Sequence, residues 1–414
     1  MALVFLFMLI NYADKAVLGL SSVAIMHDLG LSHRQFGMLG SAFFLLFSIS
    51  GAAVGFIANR VSTKALMSVM SAVWAATLLP ITLVSSFAWL LSSRIVLGAA
   101  EGPAFPVAVH AVYKWFGDQQ RALPTSVVAS GAAFGAGFVA PLITWIIVHH
   151  GWRAAFGSLA AAGIAWVCLW RLLGREGPLE QDRDVQIGSL RAVPYRQLLR
   201  SRTALGVYIA GFAAYWVIAL NLVWLANYLI NALHLSPART AWVIALPSAM
   251  QMVLAPGCAF LSRYLSRRGV SSRVSRGWLA ALCVIISGAS MASLPFMNLG
   301  APEIFLIGLS FSIGSVIFTL GPTLIGEISP APQRAAVLGI TNSIHTLAGL
   351  CAPFAMGLVV DIDADPVHGF RMGFLYAGIL VAALGFLAAV LIDPDYDLAR
   401  FRASVRPGIL TETR

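Results

Sequence analysis

The sequence predicts an all-α membrane protein, twelve transmembrane helices in two pseudo-symmetric six-helix bundles. Three observations predict it: the apolar composition, the spacing of the apolar runs, and an echo between the two halves of the chain. Of 414 residues, 59% are hydrophobic and 11% charged, against roughly 25% charged in ordinary soluble domains. A soluble globule of this size is excluded. The mean hydropathy of +0.84 agrees, because a membrane-crossing helix needs about 20 mainly apolar residues.

Apolar runs between charged or Pro/Gly-rich breaks place the first six helices at 2–26, 35–58, 65–84, 87–112, 122–148 and 152–173. The second six fall at 205–231, 239–262, 277–298, 302–327, 335–360 and 369–392. Between them, residues 174–204 are too polar to span a bilayer and form a central cytoplasmic loop; residues 393–414 form a cytoplasmic tail. The expected domains are therefore 1–173 and 205–392, joined by that loop.

The basic residues orient the chain. With both termini cytoplasmic, 21 of the 27 Lys and Arg residues fall in inside loops or the tail, four fall outside, and Lys15 and Arg94 lie within helices. This bias also accounts for the net charge of +10 without invoking nucleic acid. The placement expected is a bacterial-type inner membrane. No basic residue precedes helix 1, so its own flank does not set its direction, and helix 1 is too long and lacks the charged leader of a cleavable signal. The four cysteines, Cys168, Cys258, Cys283 and Cys351, lie in apolar stretches with no CxxC spacing, which fits packing residues rather than a disulfide or metal site. No cofactor is implied, and the expected state is a monomer.

The halves repeat one another. QRA at 120–122 leads to AP at 140–141 and GWRAAF at 151–156; QRA at 333–335 leads to AP at 352–353 and GFRMGF at 369–374. GFIANRVSTK after helix 2 has the basic counterpart GCAFLSRYLSRR after helix 8. Each match is weak, but their shared order points to duplication, and two parallel halves around a midplane site are the architecture of a rocking transporter.

Charges deep in a span cost about 2.5 to 3.5 kcal/mol each on insertion scales, so they carry the functional information. Four lie deep: Asp14 and Lys15 in INYADKAVL of helix 1, Arg94 and Glu101 in SSRIVLGAAEGPAFP of helix 4. A seven-residue spacing keeps Arg94 and Glu101 on one helix face, ~10.5 Å apart along the axis. The structural alternative is a lock between helices 1 and 4 made of paired charges. An apolar lock avoids the desolvation cost, which favours charges that change state. If Asp14 or Glu101 takes up a proton, a monoanionic substrate restores neutrality. Asn342, His345, Thr346 and Gly349 form an i, i+3, i+4, i+7 stripe in helix 11 that could line the same cavity; for His345 a hydrogen-bonded packing role is the equal alternative. Tyr12 is a further candidate contact. His110 falls half a turn out of phase with Glu101, and Glu327 is better suited to a loop contact with nearby arginines.

At these residues the chain resembles the major facilitator superfamily, and within it the anion:cation symporter family of sugar-acid, hexuronate and phthalate permeases. NYADK resembles that family's NYxDR; RIVLGAAEGPAFP resembles RxxLGxxEAxxFP; KWFGDQQRA and GWRAAF resemble WFPxxERxxA and GWRxxF; WLANYL resembles WLPxYL. The resemblance implies the major facilitator fold. It also implies that Asp14 and Glu101 are proton-coupling carboxylates, that Lys15 and Arg94 meet the substrate carboxylate, and that Asn342 is a helix 11 contact. Three departures matter. Lys15 stands where Arg is usual, a point charge in place of a bidentate fork. Ala132 stands where sugar-acid members carry Gln, which suggests a less hydroxylated acid. The cytoplasmic gate motif GxxxDRxGRR is degraded to GFIANRVSTK, leaving Arg60 and Lys64 as gate residues with Asn59 for the acid. The GxxxGPxxGG of drug antiporters is missing.

The expectation is a secondary active transporter taking up an organic carboxylate anion with protons by alternating access; an uncoupled facilitator or anion exchanger is the alternative. The partners are a small organic acid, protons and the lipid bilayer. An intramembrane enzyme is disfavoured, since HExxH, GxSxG and any nucleophile and base paired within one span are missing.

Overall fold

The computed structural model describes residues 1–57, 61–83, 86–116, 122–177, 193–297 and 300–405. Among them there is no strand, and eleven helical segments are long and apolar enough to cross a membrane. Numbered together with His33–Ile57, they are α1 (Ala2–Leu20), α2 (His33–Ile57), α3 (Thr63–Thr82), α4 (Phe87–Tyr113), α5 (Leu123–His150) and α6 (Trp152–Leu173). The chain continues with α7 (Arg202–Val223), α8 (Pro237–Arg267), α9 (Arg273–Phe296), α10 (Ala301–Ile328), α11 (Ala331–Ile362) and α12 (Pro366–Leu391). A short α13 (Pro394–Val405) follows. Twelve spans were expected; eleven meet the criterion of length and apolarity, and the 25-residue α2 stands in the remaining place.

Serines start several of these helices. The hydroxyls of Ser62, Ser86, Ser201 and Ser236 accept hydrogen bonds from the N–H groups of Ala65, Trp89, Ala204 and Arg239, satisfying donors that a helix start leaves free. Breaks inside the expected spans are the main departure from the periodicity reading. Helix 1 stops at Leu20 rather than 26; a second helix, Ser22–Leu29, resumes and ends at Gly30 with φ 61°, a left-handed conformation suited to glycine. α4 is interrupted between Glu101 and Ala104, where Pro103 brings no N–H to the helix ladder. α5 contains a π-helical turn at Phe134–Phe138, and beyond α7 the chain makes another at Tyr228–Ala232.

In the first half α2 packs on α4, α3 on α6, and α1 on α5 and α6; in the second α7 packs on α11 and α12, and α9 on α12. The halves meet where α2 lies on α11, α5 on α8, and α1 on α7. Glycine permits the closest approaches. A Cβ on Gly19 would stand 2.1 Å from the Leu222 carbonyl oxygen, and one on Gly37 2.5 Å from that of Pro353. Polar groups stitch the same seam: Thr346 Oγ1 donates to Ser48 Oγ at 2.6 Å, and the Phe354 N–H donates to Ser41 Oγ at 3.1 Å. At the start of α2, Asp361 of α11 accepts from the N–H groups of His33 and Arg34 at 3.0 and 2.8 Å, and meets His33 Nδ1 at 3.0 Å. A carboxylate from one half therefore caps a helix of the other.

Candidate functional site

The four deep charges come together between α1 and α4. Asn11, Asp14 and Lys15 share one face of α1 by their i, i+3, i+4 spacing. On α4, Gly98 between Arg94 and Glu101 lets the helix press against α2; a Cβ there would stand 1.8 Å from the Phe43 carbonyl oxygen. Glu101 is the last residue before the α4 break.

Lys15 Nζ lies 3.4 Å from Glu101 Oε2 and donates to Asn11 Oδ1 at 2.6 Å. The same ammonium sits 4.1 Å from the Tyr12 ring centre and 5.1 Å from that of Phe47, while the Arg94 guanidinium lies 4.8 Å from the Phe43 ring. Each cation is thus covered by an aromatic face, which favours it electrostatically. Asp14, Lys15, Arg94 and Glu101 are 1, 6, 3 and 1% exposed, so none faces lipid. Among the described residues, neither Asp14 oxygen has a hydrogen-bond partner, nor do Arg94 Nε and Nη1 or Asn11 Nδ2. A buried polar group left unmatched costs roughly 1–3 kcal/mol. A lock of paired charges would account for Lys15 and Glu101 and leave Asp14 and Arg94 unexplained.

The other sequence candidates divide. Tyr12 joins the cluster beneath Lys15. His345 is buried; its Nε2 meets the Val207 carbonyl oxygen at 3.1 Å, and its ring lies edge-on to Phe318 at 5.7 Å. Its polar reach is used within the second half, which is the packing arrangement. Thr346 and Gly349 serve the contact with α2, where Gly349 abuts the Phe44 ring. Asn342, one turn before Thr346, is exposed.

Of the two residues expected at a gate, Arg60 lies outside the described residues, as does Asn59. Lys64 stands in the first turn of α3, where its N–H donates to Glu176 at 3.1 Å and its ammonium to the Arg171 carbonyl at 3.0 Å. Glu176, just beyond α6, also accepts from Ser62 Oγ and from the N–H and hydroxyl of Thr63 at 3.0, 3.0 and 2.8 Å, and it pairs with Lys114. Burial alone would raise its carboxyl, but hydrogen bonds from Lys114, Thr63 and the Lys64 N–H outweigh that and hold it at about 2. Glu327 pairs with Arg276 at 2.7 Å, as its neighbourhood of arginines suggested.

Sequence reasoning missed Asn11, Phe43, Phe47, Glu176 and Asp361. Asn11 had a visible signal, one helical turn before Lys15; the other four act across long sequence separations. Among the described residues no group of three or more His, Cys, Asp or Glu could hold a metal ion.

Membrane-crossing helices in two packed halves, with a buried ionic cluster beside their seam, define a membrane carrier. The chain belongs to the Major Facilitator Superfamily, whose family model matches residues 4–314; it is a transporter and not an enzyme. It is 25% identical over 406 residues to the hexuronate transporter of Bacillus subtilis (strain 168), covering 95% of each chain. It is also 25% identical over 405 residues to a probable sulfoacetate transporter of Cupriavidus necator, covering 93% of this chain and 91% of that one. Among solved structures, a bacterial homologue of the human lysosomal transporter Spinster, inward-facing and unoccupied, superimposes with a TM-score of 0.75 at 16% identity, with 97% of both chains covered.

Proposed function

We propose that this chain takes up an organic carboxylate together with one or more protons, its two halves opening alternately to either side of a bacterial inner membrane. The observation that carries the reading is the 3.4 Å Lys15–Glu101 ion pair, buried beside an Asp14 carboxylate and an Arg94 guanidinium with unmet hydrogen-bonding atoms. With all four groups charged the cluster is neutral. Protonation of Glu101 or Asp14 leaves a net positive charge, which a carboxylate meeting Arg94 and Lys15 cancels. Cargo and proton each lower the cost of holding the other in a medium of low dielectric. Both relatives' names carry acids, so hexuronates and small sulfonated or carboxylated acids are the first cargoes to test.

The moving bodies in this reading are 1–173 and 205–392, with 174–204 and both termini cytoplasmic. The Asp361 cap on α2 then lies on the outer face, and the arrangement described is closed outward. The gate assigned to Arg60 and Lys64 would act at the opposite, cytoplasmic face, and Asn342 would be an inward-side contact.

The experiment is uptake by purified protein in proteoliposomes, with and without an imposed proton gradient. Glu101→Gln is expected to abolish gradient-driven accumulation while exchange of internal for external acid continues. Accumulation surviving in the variant removes Glu101 from coupling. Uptake by the wild type that ignores the gradient shows a facilitator or exchanger instead.

A further inference from the structure

The ionic cluster belongs wholly to α1 and α4, yet a site between two halves needs a polar contact from the second half, so that closure senses whether cargo is present. Of the second-half groups near this level, Asn342 is the exposed inward-side contact already proposed, and the buried ones are largely spent. His345 is held by Val207. Thr346 is bonded to Ser48, and Ser343 to the Ser48 carbonyl.

Tyr215 of α7 is different. It is half-buried while Ala213, Ala214 and Val217 around it are buried. Its ring meets the Phe44 ring of α2 at 5.7 Å and the Phe318 ring of α10 at 6.2 Å, with interplanar angles of 90° and 89°. Such edge-to-face contacts on two sides orient an aromatic ring. Phe44 in turn meets the Phe43 and Phe47 rings at 5.0 and 5.8 Å, the two rings beside Arg94 and Lys15, so Tyr215 stands two ring contacts from both cations, across the seam.

Resting on the carboxylate-uptake reading above, we propose that Tyr215 is a substrate-contacting residue, the second half's phenol donor to the bound acid. Its O–H donates to an oxygen of the carboxylate, or to a hydroxyl next to it, while Lys15 and Arg94 of the first half supply the cationic partners. Phe44 and Phe318 hold the ring in place, so the hydroxyl is presented with little loss of rotamer freedom. Cargo then bridges the halves: α1 and α4 bind its charge, and α7 is drawn in through one hydrogen bond made only when an acid is present.

The test compares wild type, Tyr215→Phe and Phe318→Leu in proteoliposomes, with D-glucuronate and sulfoacetate as probes. Tyr215→Phe keeps the ring packing and loses only the donor. The expected result is a KM raised about tenfold, the size of one hydrogen bond of ~1.4 kcal/mol, with kcat within about twofold and an unchanged thermal midpoint without substrate. Phe318→Leu, which loosens the ring without removing the hydroxyl, is expected to raise KM by less. Wild-type KM in Tyr215→Phe overturns the proposal and leaves the carboxylate reading standing. Failure of the wild type to take up either probe overturns the cargo reading and, with it, this assignment. A fall in kcat and thermal midpoint with unchanged KM makes Tyr215 a packing residue, which also overturns it.

Discussion

Two acidic clusters among the described residues, one exposed and one buried, treat their carboxylates in opposite ways. At the α3–α6 corner Glu176 is matched by Ser62, Thr63, Lys64 and Lys114, so that its oxygens are fully occupied and its proton is held off down to about pH 2. At the centre Glu101 has one cation at 3.4 Å, and Asp14 has no hydrogen-bond partner among the described residues. Saturated hydrogen bonding fixes a charge state and ties chain segments together. Sparse hydrogen bonding leaves a charge state open to change. The contrast separates a carboxylate that builds the protein from those proposed to work in it.

The largest test of the contrast is Arg94→Ala. Removing a cation from the sparse cluster is expected to weaken acid binding about 100-fold, within the 2–5 kcal/mol seen for truncated buried charge pairs. Thermal-shift titration with the transported acid reads this directly, and stabilisation equal to that of the wild type would take Arg94 out of the site. His345→Ala probes a polar group that is buried but satisfied. It should lower stability by about 2–3 kcal/mol for lost packing and an unmatched Val207 carbonyl, read as a lower unfolding midpoint, while KM stays put; a raised KM would return His345 to the cargo site.

Asp361→Asn sharpens the comparison at the seam. It removes a charge from a helix start, an effect of about 0.3–1 kcal/mol, and should raise the population open on that face by up to about fivefold. Spin-label distances between the ends of α2 and α11 measure it, and an unaltered distribution would make the cap incidental. The smallest effect belongs to Glu176. Its carboxyl is depressed in the fold, so its stabilisation is present above the unfolded value of about 4.3 and is lost as pH falls through about 2. Glu176→Gln should abolish that acid sensitivity at the α3 start, followed by hydrogen exchange over residues 61–66; an acid response equal to the wild type's would take Glu176 out of that role.

Much of this was legible in the sequence. Apolar runs located the spans, and the cost of charge in lipid singled out Asp14, Lys15, Arg94 and Glu101, which the fold assembles. What composition and period could not reveal depends on partners far along the chain. The break after Glu101 interrupts an apolar run whose hydropathy does not change. Glu176 reads as one more polar loop residue until α3 and α6 are set side by side, where it meets the donors of Ser62, Thr63 and Lys64 at the α3 start. The stripe Asn342, His345, Thr346 and Gly349 was read as one face toward a cavity. Packing divides it, because α11 is pressed between α7 and α2: His345 turns to Val207 and Thr346 to Ser48.

The contact of Asp361 with the start of α2 carries a further consequence. In the proposed alternating cycle, parting the halves at this end would pull that carboxylate off two backbone donors and leave a helix terminus bare, and water entering the cleft is the replacement at hand. Hydration of that end of the seam would then become a requirement for the proposed opening, tying the speed of that step to how readily solvent reaches one helix end.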